Sequence, residues 1–215
     1  MKSYLVFGSH GSIGEATTRA LSLNGDVTRA PREISKLKES VSKIDNFDSV
    51  IWAHGINTSD SIREFNLDSY NHAMDVNTSY ILSTLKILLN EEKIKSGSQL
   101  VVVSSIWGLT SKPEKLSYTI SKAATKGLVK SVATDLGPEG ISINAVSPGP
   151  IDNKMTKNNL NEKELDRIIA ESPLKRLVTL SEVVNIIVLL ANGELKGITG
   201  QELTIDAGWT VSKLV

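Results

Sequence analysis

The sequence predicts one α/β domain, residues 1–215, in which a doubly wound parallel sheet lies between two layers of helices. Two observations carry this prediction. Short runs rich in β-forming residues alternate regularly with helical stretches along the whole chain. The run Leu-Val-Val-Val-Ser at residues 100–104 is continuously apolar up to its last residue, as in a strand that is covered on both faces.

Six strands are predicted, at residues 4–7, 26–29, 49–53, 100–104, 142–146 and 202–205. Helices are predicted between them, at residues 13–24, 34–44, 67–89, 119–136 and 181–191. The first helix ends before Gly25, because glycine is favoured just after a helix C-terminus. No repeat, linker or low-complexity segment divides the chain, so a single domain is expected.

The composition excludes several classes of function. The chain carries 24 basic and 24 acidic residues, and this zero net charge argues against a dedicated nucleic-acid binder. The absence of cysteine excludes disulfides, thiolate metal sites and a cysteine nucleophile. The three histidines show no ligand spacing, so no metal is expected. No stretch approaches the roughly 18 apolar residues of a membrane span, and the first strand leaves no room for a signal peptide, so we expect a cytoplasmic protein without a membrane partner.

A glycine-rich turn, Gly-Ser-His-Gly-Ser-Ile-Gly at residues 8–14, joins the first strand to the first helix. Glycines at such a junction let the backbone approach a pyrophosphate whose charge lies at the helix N-terminus. The turn therefore predicts dinucleotide binding. The residues expected to contact the cofactor there are Gly8, Ser9, His10, Ser12, Ile13 and Gly14.

The end of the second strand bears on the choice between NADP and NAD. An acidic residue about 20 positions after the turn would hold an adenosine ribose hydroxyl, but Pro31 stands where the strand end should place it. Arg32 follows, with Arg29 nearby, and a guanidinium suits a ribose 2′-phosphate. NADP is therefore predicted over NAD; the alternatives are that both arginines are solvated and that Glu33 turns inward.

Tyr118 and Lys122 are four residues apart and share one face of a predicted helix. A phenol has a pKa near 10, and lowering it to about 7 needs about 4 kcal/mol of preferential stabilisation of the phenolate. The Lys122 ammonium and an oxidised nicotinamide are the expected sources. In the reductive direction the phenol would donate its proton to a carbonyl oxygen that Ser105 also hydrogen-bonds. The alternative is an ordinary half-buried tyrosine.

Seven segments occur in the order and spacing of one family, including a step of 13 residues from Ser105 to Tyr118. Together they resemble the short-chain dehydrogenase/reductase family. This resemblance implies a Rossmann-like domain and hydride transfer between NAD(P) and a carbonyl or secondary alcohol. The segments are residues 8–14, 53–55, 75–77, 104–108, 118–122, 144–151 and 200–208.

The resemblance also implies roles for single residues. Lys122 would hold the nicotinamide ribose, and Asn77 would order a water that relays protons through Lys122. The Ile151 backbone and the Asn153 side chain would hold the carboxamide, although the family often has threonine where Asn153 stands. The remaining expected cofactor contacts are Ala53, Gly55, Pro148 and Gly149.

The chain departs from the family in three places. Ser12 stands where the common pattern has glycine, while Gly11 matches the spacing of the extended branch. Residues 52–55 read Trp-Ala-His-Gly and lack both usual asparagines; His54 either takes over a backbone or adenosine contact or is a structural histidine. Only 41 positions separate Gly14 from Gly55, which predicts that the helix after the second strand is absent and that the third strand survives only as a stub at residues 33–35.

The polar stretch at residues 152–173 predicts a lid over a small carbonyl or alcohol substrate. Trp107 either forms a wall of the substrate site or only packs. The resemblance implies a homodimer or homotetramer formed through helices 67–89 and 119–136 and residues 201–209. Two other functions stay open: a non-catalytic NAD(P)-binding sensor or scaffold, and an isomerase or dehydratase that uses bound cofactor transiently.

Overall fold

The computed structural model describes residues 1–153, 156–157 and 160–212. Its six strands are β1 (Lys2–Phe7), β2 (Gly25–Arg29), β3 (Phe47–Trp52), β4 (Ile94–Val103), β5 (Ser142–Pro148) and β6 (Glu202–Ile205). They form one sheet in the order β2-β1-β3-β4-β5-β6. Every neighbouring pair is parallel, so all carboxyl ends meet at one edge.

Helices connect these strands. They are α1 (Ser12–Leu21), α2 (Leu37–Val41), α3 (Leu67–Met74), α4 (Tyr80–Asn90), α5 (Leu116–Leu136), α6 (Glu162–Glu171) and α7 (Leu180–Ala191). A π-helical turn, Asp75–Ser79, joins α3 to α4, so the predicted helix at residues 67–89 is nearly continuous but locally widened. The start of α7 is specified locally, by a capping box of Thr179 and Glu182.

Two apolar clusters cover the two faces of the sheet. On one face α4 and α5 pack against β1, β3 and β4; on the other, α1 and α7 pack against the same strands. The alternation is visible in β1, where Leu5 and Phe7 join the first cluster and Tyr4 and Val6 join the second. Apolar runs are thus required in the central strands because both of their faces are buried. The predicted doubly wound, Rossmann-like single domain is confirmed.

The segment between β2 and β3 corrects the sequence prediction. Residues 33–35 are not a strand: Glu33 precedes a 3₁₀ turn, Ile34–Lys36, which leads into α2. The expectation that no helix follows the second strand is therefore also wrong, although the helix predicted at residues 34–44 is shortened. Leu37 and Val41 decide this outcome, because both are fully buried in the cluster of α4 and α5. No described strand lies beyond β2, which is the edge of the sheet.

The segment predicted as a lid contains α6, which begins at a capping box of Asn161 and Glu164. Within that segment, residues 154, 155, 158 and 159 lie outside the described part of the chain. Among the helices that the structure describes, none is long and apolar enough to cross a membrane.

Candidate active site

A cavity of about 840 Å³ opens at the carboxyl ends of the parallel strands, where ligands bind in doubly wound sheets. It is lined by predicted site residues from several distant parts of the chain: Ser12, Ile13, Ala53, Gly55, Ser105, Tyr118, Lys122, Pro148, Gly149, Ile151 and Asn153. The other predicted residues, Gly8, Ser9, His10, Gly14, Arg32 and Asn77, do not line it. Gly8, Ser9 and Gly14 form the turn behind the cavity, whereas His10 and Arg32 are exposed.

The glycine turn leaves no space for side chains at two of its positions. Gly8 has a φ of +71°, and a Cβ there would lie 2.6 Å from the backbone nitrogen of His54. A Cβ on Gly14 would lie 2.2 Å from the Gly8 carbonyl oxygen. Helix α1 then begins after Gly11 without a side-chain cap, so its first-turn amides are left for an anionic ligand.

The Arg29 side chain is hydrogen-bonded to this turn. Its Nη1 donates to the Ser9 carbonyl oxygen at 2.9 Å, which holds a guanidinium beside the loop that follows β1. Arg32 is exposed, and its carbonyl oxygen accepts from the Tyr80 hydroxyl at 3.3 Å. Arg29 is thus closer to the glycine turn than Arg32, the arginine favoured from the sequence, because it ends β2, which pairs with β1.

Ser105, Tyr118 and Lys122 converge where β4 meets α5. Ser105 lies two residues after the end of β4, and its Oγ accepts from the Trp107 amide at 3.3 Å, which caps a 3₁₀ turn. This turn approaches α5 closely, since a Cβ on Gly108 would lie 2.8 Å from the Lys122 backbone. The Lys122 ammonium donates to the Val103 carbonyl oxygen at 3.2 Å and lies 5.8 Å from the centroid of the Tyr118 ring.

Burial governs the protonation of this pair. It lowers the pKa of Lys122 to about 8, because the charged ammonium loses its hydration. It also raises the pKa of Tyr118, and hydrogen bonding from Ser105 acts in the opposite direction without outweighing it. The oxidised nicotinamide, the second source of positive charge expected from the sequence, does not enter this balance, so a lowered pKa of Tyr118 stays a prediction.

Asn77 lies in the π-helical turn and joins two parts of the site. Its Nδ2 donates to the Ile56 carbonyl oxygen at 3.0 Å and to Ser121 Oγ at 2.9 Å, and its Oδ1 accepts from the Ile56 amide at 2.9 Å. These bonds hold the segment after β3 against α5. A Cβ on Gly55 would consequently lie only 3.2 Å from Asn77 Oδ1 and 3.3 Å from Lys122 Nζ. The water relay through Asn77 stays a prediction.

His54 contacts the π-helical turn and the start of α4. Its Nε2 lies 3.0 Å from the Val76 carbonyl oxygen, and its ring meets Tyr80 edge-on with centroids 4.7 Å apart. Burial, together with the positive charge of Lys122, lowers the pKa of His54 to about 4. The imidazole is therefore neutral near pH 7 and makes the backbone contact, while its buried Nδ1 has no partner among the described residues.

The end of β5 forms the opposite wall. The Gly149 amide donates to the Ile205 carbonyl oxygen at 2.8 Å. A Cβ on Gly149 would lie 2.8 Å from the Cβ of Asp206, so the close approach of Asp206 requires glycine at this position. Ile151 forms a parallel bridge with Val178. Asn153 Oδ1 accepts from the Thr156 amide at 2.9 Å, which fixes the side chain at the start of the predicted lid.

Two tryptophans form an aromatic wall, of which the sequence predicted only Trp107. Trp107 and Trp209 meet edge-to-face with centroids 5.5 Å apart, and both line the cavity. Trp209 Nε1 donates to Glu171 Oε2 at 3.0 Å and so connects the C-terminal segment to α6. In the sequence, Trp209 directly follows the 200–208 segment, and this position could have indicated that it lies at the site.

These residues fit a nicotinamide dinucleotide. A side-chain-free turn leads to an uncapped helix N-terminus suited to a pyrophosphate, and the buried Ser104 Oγ, beside the cavity, has no partner among the described residues. In the described part of the chain, no group of three or more His, Asp or Glu residues could hold a metal ion.

Comparisons with known proteins agree with this geometry. Residues 10–210 match the family model described as Enoyl-(Acyl carrier protein) reductase. The chain is 30% identical over 238 residues to the 3-oxoacyl-acyl-carrier-protein reductase FabG of Rickettsia typhi, covering 96% of both proteins. It is 31% identical over 187 residues to FabG of Buchnera aphidicola, covering 85% of this chain and 74% of the relative.

Among solved structures, a short chain dehydrogenase family protein from Francisella tularensis superposes with a TM-score of 0.89 at 25% identity, covering 99% of this chain and 100% of that one. The chain belongs to the short-chain dehydrogenase/reductase family and is an NAD(P)-dependent oxidoreductase acting on a small-molecule substrate.

Proposed function

We propose that the protein reduces a carbonyl group to a secondary alcohol, or catalyses the reverse reaction, with Tyr118 as the general acid/base. The observation that carries this proposal is the placement of a half-buried phenol between Ser105 and the Lys122 ammonium at the cavity wall. When bound in the cavity, the nicotinamide supplies or accepts the hydride. The protein must then supply one proton to the oxygen for each hydride that reaches the carbon.

Each residue has a defined part in this proton transfer. Ser105 donates a hydrogen bond to the substrate oxygen and holds it within reach of the phenol. In reduction Tyr118 gives its proton to that oxygen and becomes a phenolate, and the Lys122 ammonium stabilises this anion. Lys122 also binds the nicotinamide ribose, and the proton returns to Tyr118 from water ordered near Asn77. Oxidation of the alcohol follows the same steps in reverse.

The Tyr118→Phe variant tests this assignment. We expect turnover of a carbonyl panel with NADPH to fall by about 10²–10⁴-fold, since only the acid/base group is lost. Cofactor affinity, measured by fluorescence titration, should be unchanged. The matched control is Tyr70→Phe, which removes a hydroxyl from α3 at a distance from the cavity. Turnover that survives in Tyr118→Phe contradicts the assignment.

We also propose a preference for NADP. The Arg29 guanidinium is hydrogen-bonded beside the glycine turn, and Arg32 is exposed just after the same end of β2, so a ribose 2′-phosphate at that end would find basic side chains. We expect Arg32→Ala to weaken NADPH binding at least tenfold, as for a lost charge-assisted hydrogen bond, and to leave NADH binding unchanged. Arg63→Ala, which removes an arginine from a distant 3₁₀ turn, is the control. Equal affinities of the parent protein for NADPH and NADH contradict the preference.

For the substrate we propose a 3-oxoacyl thioester. The FabG relatives are named for such a substrate, and the Trp107–Trp209 pair, with Leu160 and Ile168, offers an apolar wall on the lid side of the cavity. Residues 152–173 would act as the lid. A panel with a 3-oxoacyl thioester, an aldose and a simple ketone tests this, because the thioester should give the highest kcat/KM. Faster turnover of the aldose would favour a polyol-like substrate.

We also propose that the protein forms a homodimer or a homotetramer. Large apolar side chains remain exposed on the helices expected to form the interfaces, namely Leu67 at 58%, Leu82 at 47% and Ile120 at 39%. Light scattering behind size exclusion should give a mass of two or four chains of 23.3 kDa. A mass of one chain at micromolar concentration contradicts it.

A further inference from the structure

Lys115 is a buried lysine beside the phenol, and neither the seven family segments nor the proposed reaction uses it. It lies immediately before α5 and is only 8% exposed. Its Nζ lies 5.8 Å from the centroid of the Tyr118 ring, the same distance as Lys122 Nζ. The Tyr118 ring therefore has two ammonium groups near it, one from the residue three positions before it and one from the residue four positions after it.

The Lys115 ammonium is held in place by neutral acceptors. It donates to Asn57 Oδ1 at 2.8 Å, to the Thr58 carbonyl oxygen at 3.1 Å and to Ser59 Oγ at 3.2 Å. An ammonium has three protons, so these bonds use all of its donors and none is left for a substrate. Lys115 can thus act on the reaction only through its charge at the phenol.

The charge of Lys115 is not cancelled by an ion pair. Within the described ranges, no carboxylate lies within ion-pair distance of its Nζ. Asp60 is the nearby acid on the same segment, but its carboxylate accepts from the amide and hydroxyl of Ser117 and so caps α5 instead. Burial lowers the pKa of Lys115, the positive charge of Lys112 acts in the same direction, and Asp60 and Glu114 oppose both. Ser105 and Lys122 complete the groups that face the phenol.

We propose that Lys115 is a positioning residue for Tyr118: its fixed ammonium supplies a second positive charge at the ring and stabilises the phenolate. This inference rests on the proposed role of Tyr118 as acid/base. The Lys115 ammonium lies 5.8 Å from the centroid of the Tyr118 ring, where its positive charge opposes the effect of burial, which raises the pKa of the phenol. In this proposal residues 57–59, which follow β3, hold the Lys115 ammonium beside the ring through their three hydrogen bonds.

The experiment places 3,5-difluorotyrosine, whose phenol is more acidic than that of tyrosine, at position 118 and titrates it by absorbance without cofactor or substrate. We expect Lys115→Met to raise the pKa of this phenol by about one unit, as for the loss of a unit charge about 6 Å away in a half-buried site. Lys115→Arg, which keeps the charge, should restore the parent value. Lys130→Met, an identical charge change on an exposed position of α5, should leave it unchanged.

Lys115→Gln separates charge from hydrogen bonding and replaces Lys115→Met if that variant fails to fold. Its amide still donates to the 57–59 segment but carries no charge, so the proposal requires the same rise of about one unit in the phenol pKa. A parent-like pKa in Lys115→Gln, or an equal rise in Lys130→Met, overturns the proposal. Loss of turnover in Tyr118→Phe together with a parent-like pKa in Lys115→Gln would refute only the role of Lys115. Retained turnover in Tyr118→Phe would refute the proposed function, whatever the titration gives.

Discussion

Replacing Asn77 with alanine should destabilise the fold measurably, because its side chain makes three hydrogen bonds between separate segments. Each intramolecular hydrogen bond contributes about 0.5–1.5 kcal/mol, so their joint loss costs about 3 kcal/mol of unfolding free energy. For a chain of 215 residues this corresponds to a fall in Tm of about 6–12 °C. Ser121→Ala, which removes one of the three partners, should cost about 1 kcal/mol.

Urea denaturation followed by circular dichroism measures these differences, at one protein concentration and without cofactor. The double variant tests the contact itself: since Asn77 and Ser121 share a bond, its loss of stability should be smaller than the sum of the two single losses. Asn71→Ala, at an exposed position on α3, is the matched control and should change the unfolding free energy by no more than about 0.5 kcal/mol. An Asn77→Ala variant as stable as this control would refute the reasoning.

Three further results are expected. Gly14→Ala should weaken NADPH binding at least tenfold in a fluorescence titration, because its Cβ would lie 2.2 Å from the Gly8 carbonyl oxygen. Gly127→Ala, which meets nothing within 4 Å, should leave binding intact and raise the unfolding free energy by about 0.5–1 kcal/mol. Because the pKa of His54 is about 4 in the fold against 6.5 unfolded, the unfolded chain binds more protons between these values, so stability should fall by up to about 3 kcal/mol from pH 6.5 to 4. His54→Gln should flatten this dependence in urea titrations at stepped pH; an unaltered slope would contradict the assignment.

The sequence was most informative where a pattern is local. Alternating strand and helix signals, and strands apolar on both faces, suffice for the doubly wound sheet because both faces must be buried. The four-residue step from Tyr118 to Lys122 places both side chains at the cavity, because such a step returns to the same helix face. The boundaries were less accurate: β4 begins at Ile94, six residues before its apolar run, because Ile94 pairs with Phe47 ahead of a register irregularity.

Other features depend on contacts between distant segments, and only the tertiary structure decided them. The segment at residues 33–35 leads into a helix instead of a strand because Leu37 and Val41 find a buried place beside α4. Lys115 looks like a surface lysine in a polar stretch, and it is the folding of the 57–59 segment over α5 that buries its ammonium beside Tyr118. Sequence by itself determined the family, the sheet and the set of reactive side chains, because these follow from residue type and spacing. The burial of the phenol and of the two ammonium groups near it, and hence their pKa values, were decided by long-range packing, because desolvation depends on segments that are distant along the chain.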